Sequence, residues 1–471
     1  MKILERKLGA ATSIAIVVGG VIGSGIFMKP ALMAGQLANP LLLISVWIVA
    51  GIITLFGALS NAEVAAMIPE TGGQYVFFQK MYGSGFAFMY GWAAFAVFNT
   101  AGNASIAYVF AQYANYFINL PRFSDAVEKA SAFHIPFVGT LYLLENAGLK
   151  LLTIFIVWLL SAVNYISVLY GSALQRILTA LKAIAIVMLV FGILFSGNGS
   201  AANFYTPGAD WEMKHQGLLG AYITALAGAF WAYDGWNNIT FIAGEIKEPQ
   251  KNIPRSLFWG LLFCVIIYAL VNLAYLYVMP VDAMKHSSFI ASDTATILWG
   301  IAGGGIIACM VMLSTLGTAN ANILATARIT MAMGKESRLF SFAGKVHPRF
   351  ATPGNALLLN GVWSTLLICS GPFDMLTDML VFVTWFFYGM SALGVFVLRH
   401  KLKDADRPYK VWGYPIVPFL FAGFTLFFLV STLYYDISNY MTGQSELINS
   451  LLGVLITAIG LPVYYFSVKK Q

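Results

Sequence analysis

The chain has 471 residues, of which 59% are hydrophobic and only 10% are charged, and its mean hydropathy is +0.76. This composition excludes a water-soluble globular protein of this length and predicts a polytopic protein of the lipid bilayer. The net charge of +7 does not indicate a nucleic-acid partner, because the basic residues lie in short loops between apolar segments, where membrane topology explains them.

The first apolar segment, roughly residues 8 to 36, contains the sequence GGVIGSGIF at 19–27. Glycine is costly inside a helix, so four glycines and a serine in this short run predict a membrane helix that is broken in the middle. A break at membrane depth is tolerated only where the freed backbone groups are buried in protein or line a cavity. We therefore expect a binding site here. The segment shows no signal-peptide cleavage pattern.

The apolar runs form twelve predicted spans, each long enough to cross a bilayer. They cover roughly residues 8 to 36, 40 to 67, 84 to 119, 149 to 168, 172 to 196, 217 to 246, 253 to 279, 294 to 333, 355 to 371, 375 to 399, 414 to 435 and 447 to 467.

The lysine and arginine residues divide unevenly between the two ends of these spans. If the N-terminus is cytoplasmic, 20 of the 27 lie on the cytoplasmic side and Lys182 lies within the fifth span. The six on the outer side are Lys29, Arg122, Lys129, Lys150, Lys214 and Lys285. This asymmetry predicts that both termini are cytoplasmic.

The sixth predicted span carries a second interruption, WAYDGWNN at 231–238, where an aspartate, a glycine and two asparagines break an apolar run. Asp234 lies 211 positions after Gly23, and the same shift brings the third and fifth spans near the starts of the eighth and tenth. Two repeats of five helices must have opposite orientations, and paired interrupted helices in inverted repeats are typical of a transporter's substrate site. The alternative is that the glycines only permit close helix packing.

Five sequences, in this order, resemble those of the amino acid/polyamine/organocation superfamily and, within it, the L-amino acid transporter branch. They are GGVIGSGIFMKP (19–30), SNAEVAAMIPETGGQY (60–75), WAYDGWNNITFIAGEIKEPQKNIPRS (231–256), STLGTANANILATARITMAMGKES (314–337) and RPYKVWGYPIVP (407–418). The resemblance implies an all-α membrane fold of the LeuT type with twelve transmembrane helices, of which the first and sixth are broken. The inverted repeats would be residues 1–200 and 201–403, followed by two accessory helices in 404–471. The resemblance also implies sodium-independent amino acid transport, usually by obligatory exchange.

A zwitterionic amino acid needs donors for its carboxylate and acceptors for its ammonium, because neither charge is stable unpaired in a membrane. Where the first helix restarts, the free amides at the positive end of the half-helix form an anion site, and the serine hydroxyl is a further donor. The expected carboxylate ligands are Gly23, Ser24 and Gly25. The carbonyls expected to accept from the ammonium are those of Val21, Trp231 and Asp234.

Selectivity is expected to come from side chains around the second break. The Trp231 ring occupies the position of an aromatic gate in the family; the alternative is simple packing. Asp234 is an intramembrane carboxylate, and three interpretations of it remain open. It pairs with a cationic substrate side chain, it strengthens ammonium binding, or it caps the restarted helix by accepting from the amide of Trp236 or Asn237.

Lys182 is a charge within the fifth span that topology does not explain. Snorkelling to the inner surface is one interpretation. The resemblance implies another, in which the ammonium takes the place of the sodium ion of coupled relatives, between the first and eighth helices. Its partners would then be Ser314 and the carbonyls near Gly19 and Gly20. A lysine that loses its proton more easily through burial could instead couple transport to protons.

Several other polar residues are weaker candidates. Four asparagines could line the cavity or hydrogen-bond between helices, and Asn103 is included among the gate and selectivity residues. They are Asn99, Asn103, Asn320 and Asn322. Glu63 and Arg328 are expected to be cytoplasmic gate or loop-anchoring charges. Trp385 and Tyr388 face the site or pack at the interface.

The resemblance therefore implies a sodium-independent exchanger of neutral L-amino acids, and Asp234 adds cationic ones as a further class. The alternatives are a proton-coupled symporter and, less favoured, an amino acid sensor that does not transport. An enzyme is not expected, because the five histidines lie in or beside predicted loops and form no motif.

No cofactor, metal or disulfide framework is expected, since the three cysteines all lie in apolar segments. The stretch 121–150 contains no cysteine, whereas family members that work with a heavy subunit carry one there, so no disulfide-linked heavy subunit is expected. The short termini suggest a bacterial protein of the inner membrane.

Overall fold

The computed structural model describes residue 6 and residues 8–70, 72–166, 182, 184, 186–193, 195–214, 217–337 and 339–467. Most of the predicted fifth span, 172–196, lies outside the described residues. The described part is mainly helical, and its one sheet is a short hairpin of β1 (Ala132–Ile135) and β2 (Gly139–Tyr142), which pair antiparallel with Ala132 opposite Tyr142.

The helices of the first part of the chain begin near the predicted positions. They are α1 (Ala10–Val21), α2 (Gly25–Leu37), α3 (Pro40–Met67), α4 (Gln74–Tyr82), α5 (Ser84–Ala93), α6 (Asn99–Ala114), α7 (Asp125–Ala130) and α8 (Ala147–Ile166). A π-helical segment, Ala94–Phe98, joins α5 to α6 into one span, and the Thr100 hydroxyl donates to the Phe95 carbonyl at 2.6 Å.

The second part contains the longest helices. Its elements are α9 (Trp211–Lys214), α10 (Leu218–Tyr233), α11 (Asn238–Phe241), α12 (Pro249–Val278), α13 (Val281–Met284), α14 (Ile290–Glu336), α15 (Gly354–Ser370), α16 (Phe373–Lys401), α17 (Ile416–Met441), α18 (Asn449–Ala458) and α19 (Gly460–Ser467). The predicted eighth span, 294–333, lies within α14, and Gly300, with φ 69°, kinks this helix and separates Ile290–Trp299 from the rest.

Eight helices among the described residues are long and apolar enough to cross a membrane, or nine if α1 and α2 count as one span bent by 43°. The remaining three predicted spans are not in this set for different reasons. The sixth is divided between α10 and α11, the ninth is the 17-residue α15, and the fifth is mostly not described. A multi-pass membrane protein is therefore established, while twelve helices and an inverted repeat stay predictions.

The two broken helices pack against each other where glycine leaves room. A Cβ added to Gly25 would lie 2.6 Å from Ala232 Cα, and one added to Gly20 would lie 3.0 Å from the Gly235 carbonyl oxygen. Gly235 itself has φ 96°, which other residues rarely adopt. The glycines therefore fit both interpretations given above. They lie where the helices break, and they allow the two breaks to pack closely together.

Longer helices surround the broken pair. The 30-residue α12 packs on α1 and α3, and α14 lies along α6 and contacts α1 and α2. Within the broken pair, α10 packs on α2 and also contacts α3 and α16. Asn39 caps α3 by accepting from the amides of Leu41 and Leu42 at 3.0 and 3.1 Å, which explains why this span starts at the predicted Pro40.

Candidate functional site

A cavity of about 590 Å³ lies between the two breaks. Its wall comes from α1 with its break and the start of α2, from α10 with its break and the segment through α11 to Glu245, and from α4, the span of α5 and α6, α14 and α16. The residues that matter for its chemistry are Gly23, Ser24, Gly25, Gln74, Asn99, Trp231, Asp234, Thr318, Asn320, Asn322, Arg328 and Tyr388. The wall is mainly apolar with a few polar groups, as in other small-molecule sites.

Several polar groups on this wall lack a protein partner. Within the described part of the chain, the Ser24 hydroxyl, the Gln74 amide nitrogen and the Asn99 amide nitrogen are buried without a hydrogen bond. Ser24 precedes α2, so its hydroxyl lies beside the first amides of that helix, which have no partner within the helix. Buried donors without partners are rare, and here they indicate a polar ligand or bound water.

The ammonium of Lys182 closes the other side of the first break. Its Nζ donates to the Gly19 carbonyl at 3.1 Å, to the Ile22 carbonyl, and to Thr318 Oγ1 at 2.9 Å, and the residue is 4% exposed. The carbonyls at the end of α1 have no partner within the helix and carry its negative dipole end, so a buried cation is stabilised there. Lys182 thereby joins α1 to α14.

Tyr268 of α12 connects the two breaks. Its hydroxyl lies 2.8 Å from the Val21 carbonyl oxygen and 2.9 Å from that of Ala232. The side chain is fully buried. The hydroxyl has one proton, which the two carbonyl oxygens share, so Tyr268 links backbone groups that both helices leave free where they unwind.

Asp234 lies at the end of α10, and its carboxylate faces the cavity. Its Oδ1 accepts from the Tyr388 hydroxyl of α16 at 2.7 Å. The ion pairs of the described residues do not include Asp234. Tyr388 also packs against Trp236, with ring centroids 4.9 Å apart and ring planes tilted by 45°, which restricts the phenol.

The cavity extends from the breaks in one direction only. Along this direction its wall contains Thr12, Ala15 and Ile16 of α1. It also contains Glu245 and, from α14, Arg328. In the opposite direction, Trp231 meets Phe373 edge to face at 5.2 Å and covers the cavity. The structure therefore has an open side, towards the start of α1, and a closed side, towards α2.

The described residues contain no group of three or more histidine, cysteine, aspartate or glutamate side chains placed to hold a metal ion. The chemistry of this site is that of hydrogen bonds and fixed charges.

Comparison with known families agrees with this geometry. The family model described as amino acid permease matches residues 8–459, which is nearly the whole chain. The chain belongs to the amino acid permease family. This family lies in the amino acid/polyamine/organocation superfamily, as the sequence motifs predicted.

Three relatives show the breadth of the similarity. The permease is 30% identical over 472 residues to the serine/threonine exchanger SteT of Bacillus subtilis (strain 168), covering 99% of this chain and 98% of the relative. It is 30% identical to the mouse large neutral amino acids transporter small subunit 2, covering 99% and 82%. It is 28% identical to the human b(0,+)-type amino acid transporter 1, covering 91% and 83%. These relatives are transporters, and the permease is likewise a membrane transporter rather than an enzyme.

Most predicted site residues of the permease lie at the cavity. Gly23, Ser24, Gly25, Trp231 and Asp234 are all on its wall. Their binding roles stay predictions, but the expected convergence of the two breaks is present.

Three expectations require correction. Thr318, not Ser314, is the hydroxyl that contacts Lys182, because the ammonium lies at the level of the break, one turn beyond Ser314; the Ser314 hydroxyl has no partner among the described residues. The backbone carbonyl at this contact belongs to Ile22 in addition to Gly19, not to Gly20. Asn103 is not on the cavity wall, since it lies one turn beyond Asn99 where α6 closes on α14.

The interhelical interpretation holds for Asn103, which is 1% exposed, donates to Thr326 at 3.3 Å and accepts from Asn322 at 2.8 Å.

The capping interpretation of Asp234 finds no support among the described residues. Its carboxylate accepts from the Tyr388 hydroxyl rather than from the backbone amide of Trp236 or Asn237. Trp385 packs between Phe230 and other rings of the permease, and does not face the cavity.

Tyr268 and Thr318 are functional candidates that the sequence analysis missed. Tyr268 lies 247 positions from Val21 and Thr318 lies 136 positions from Lys182, and both share their spans with other polar residues, so neither stands out in the sequence. Which face of a helix meets a distant break depends on packing between helices, and no local pattern reports it.

Proposed function

We propose that this permease is a sodium-independent exchanger of neutral L-amino acids that works by alternating access. The observation that carries the proposal is the pair of helix breaks facing one cavity, with Lys182 bound to the carbonyl end of the first. The unpartnered donors at Ser24 and Asn99 suit a carboxylate and polar substrate groups. A fixed ammonium at the first break removes the need for a bound sodium ion there.

The substrate carboxylate binds at the start of α2, to the amides and hydroxyl at Ser24 and Gly25. The amide of Gly23 is a further donor for the same carboxylate. The ammonium binds at the end of α10, with the carbonyl of Trp231 as one acceptor. Val21 retains one lone pair for the same purpose, since a carbonyl oxygen accepts two hydrogen bonds and Tyr268 uses one.

The open side of the cavity faces the cytoplasm in this proposal, which follows from the predicted topology with both termini inside. The protein resides in a bacterial inner membrane, with the two five-helix repeats 1–200 and 201–403 forming the transport unit. It works without a disulfide-linked heavy subunit. The names of the relatives support amino acids as the substrate class, and the name of SteT supports exchange.

Counterflow in proteoliposomes tests exchange. We expect uptake of labelled alanine to require an unlabelled amino acid inside and to be unaffected by a pH gradient. Vesicles loaded with buffer alone are the control, and their uptake should be at least ten-fold lower. Uptake into these empty vesicles, driven by an inward proton gradient, would establish the symporter instead.

Cationic amino acids are the second candidate substrate class, favoured by the Asp234 carboxylate on the cavity wall, which accepts from Tyr388 but has no ion-pair partner within the described part of the chain. We expect labelled lysine to be transported and to compete with alanine. Asp234→Asn should weaken the apparent affinity for lysine about ten-fold, the equivalent of about 1.4 kcal/mol, and change that for alanine much less. If lysine is neither transported nor competes with alanine, cationic amino acids are rejected as substrates, and the proposal of a neutral amino acid exchanger is unaffected.

A further inference from the structure

Lys29 is a buried cation on the closed side of the cavity. It lies on α2, only 1% of its side chain is exposed, and its Nζ is 2.7 Å from Asp374 Oδ1 at the start of α16. The same ammonium donates to Thr377 Oγ1 at 3.0 Å and lies 4.0 Å from Asp378 Oδ1. A lysine this deeply buried is unfavourable unless its charge is paired, so α16 supplies the groups that keep Lys29 in place.

Lys29 also contacts the rings that cover the cavity. Its Nζ is 4.9 Å from the ring centroid of Phe373, and Phe373 meets Trp231 edge to face. Its aliphatic stem packs on Gly228, one turn before Trp231, where an added Cβ would lie 3.3 Å from Lys29 Cδ. Lys29 therefore fixes Phe373 and, through it, positions Trp231.

A second cavity, of about 520 Å³, lies beyond this contact. Its wall includes Pro372 and Asp374, whereas the wall of the central cavity includes Trp231. Lys29 and Phe373 belong to neither wall and separate the two cavities. The Asp374 side chain is 53% exposed, so it has access to water on the side away from Lys29.

We propose that Lys29, Asp374 and Asp378 form an ionic latch that closes the path between the two cavities. The latch must open before the central cavity can be reached from its closed side. The inference rests on the proposed alternating-access transport, in which the site faces one side of the membrane at a time.

The second cavity makes the latch reversible. Its charged wall residues are Arg122, Asp125, Glu128, Lys129, Glu145, Asp374 and Glu446, five acidic and two basic. When α2 and α16 separate, the ammonium of Lys29 enters an acidic, hydrated space instead of lipid, which reduces its desolvation penalty. Asp374 is already half-exposed to water, so its hydration changes little when the ion pair separates.

Accessibility of a reporter cysteine tests the latch without relying on transport. Ser24→Cys is introduced after replacing the three native cysteines with alanine, and a membrane-impermeant thiol reagent is applied to intact cells and to inside-out vesicles. In this Ser24→Cys protein, the parent for the variants below, we expect fast labelling from the open side and slow labelling from the closed side. Lys29→Met keeps the apolar stem and removes the charge, so labelling from the closed side should rise about five-fold and labelling from the open side should fall.

Lys285 provides a matched control. Its Nζ is 2.8 Å from Asp210 and 3.0 Å from Asp282, an ion pair of similar geometry that does not touch the covering rings. Lys285→Met should leave both labelling rates unchanged, and Lys29→Arg, which retains the charge, should behave like the parent.

Equal labelling of Lys29→Met and the parent, or an equal rise with Lys285→Met, would overturn the latch. If Lys29→Met does not give a monodisperse protein, Asp374→Asn removes the 2.7 Å partner and leaves the lysine, and the same rise is expected. Because the readout is a rate of thiol modification, a protein that fails the counterflow test can still pass this one.

Discussion

Lys182 shows how one side chain can stabilise an unwound membrane helix. A helix that ends in the middle of a bilayer leaves carbonyl groups which water satisfies in a soluble protein. Lys182 donates to two of them, at Gly19 and Ile22, and its third proton goes to Thr318. All three donors of the ammonium are used, which argues against snorkelling, since a snorkelling lysine places its charge in interfacial water.

Replacing Lys182 tests its role in transport. We expect Lys182→Ala to reduce the rate of counterflow more than ten-fold while the amount of protein in the membrane stays unchanged, because the end of α1 loses its cation. A variant with a normal counterflow rate would remove Lys182 from the mechanism.

Lys150 is the matched control for this experiment. It is also buried, at 4% exposure, and it also donates to three carbonyls, those of Tyr142, Leu143 and Cys369. It contacts no residue of the central cavity wall. Lys150→Met should lower thermal stability but leave transport per folded molecule close to the parent value. This control distinguishes the general effect of removing a buried lysine from the specific effect of removing Lys182.

At the scale of elements, the contact between the broken helices depends on the absence of side chains. Gly25 lies so close to Ala232 that a Cβ there would come 2.6 Å from both its Cα and its Cβ. Real Cβ atoms do not approach neighbours this closely, so one of the helices must shift.

We expect Gly25→Ala to reduce transport more than ten-fold and to lower the unfolding temperature, because α2 is displaced from α10. The control is Gly423→Ala in α17, where an added Cβ has no neighbour within 4 Å. That substitution should be neutral or stabilising by about 0.5 kcal/mol, since alanine is the better helix former. Wild-type transport by Gly25→Ala would show that the close approach is not required.

The breaks were predictable from sequence because they depend on local chemistry. Glycine runs, and an aspartate and asparagines within an apolar run, disfavour helix whatever surrounds them. The start of α3 was predictable for the same reason, from Asn39 and Pro40. The partners of each break were not, because Tyr268, Thr318 and Tyr388 reach it from other helices, and the rotation of those helices follows from packing along their full length.

At the scale of the whole molecule, Glu63 links the transport core to the segment that leads to the last helices. The carboxylate is 1% exposed and accepts from Arg399 Nε and Nη2 at 2.8 and 2.7 Å, and from the Val411 amide at 2.7 Å. The guanidinium of Arg399 also stacks 3.5 Å from the ring centroid of Tyr414. This confirms the expectation of a loop-anchoring charge and places α3, α16 and the segment 402–415 in one unit.

Removing the charge of Glu63 should loosen this unit. Breaking a buried ion pair typically costs about 3 kcal/mol, so Glu63→Gln should lower the unfolding temperature in detergent and speed tryptic cleavage within 402–415. Glu248→Gln is the control, because the Glu248 and Lys251 side chains of that ion pair are 69% and 67% exposed. Such surface pairs contribute at most about 1 kcal/mol, so little change is expected. Unchanged proteolysis of Glu63→Gln would contradict the anchoring role.

The volume of the central cavity has a consequence for how the protein responds to its solvent. At about 30 Å³ per molecule, 590 Å³ of open cavity corresponds to on the order of 20 waters. Closing around a substrate expels most of them, so the two forms differ in hydration as well as in shape. An osmolyte too large to enter the cavity lowers the activity of water outside it, and it therefore shifts the population towards the form in which the cavity is closed.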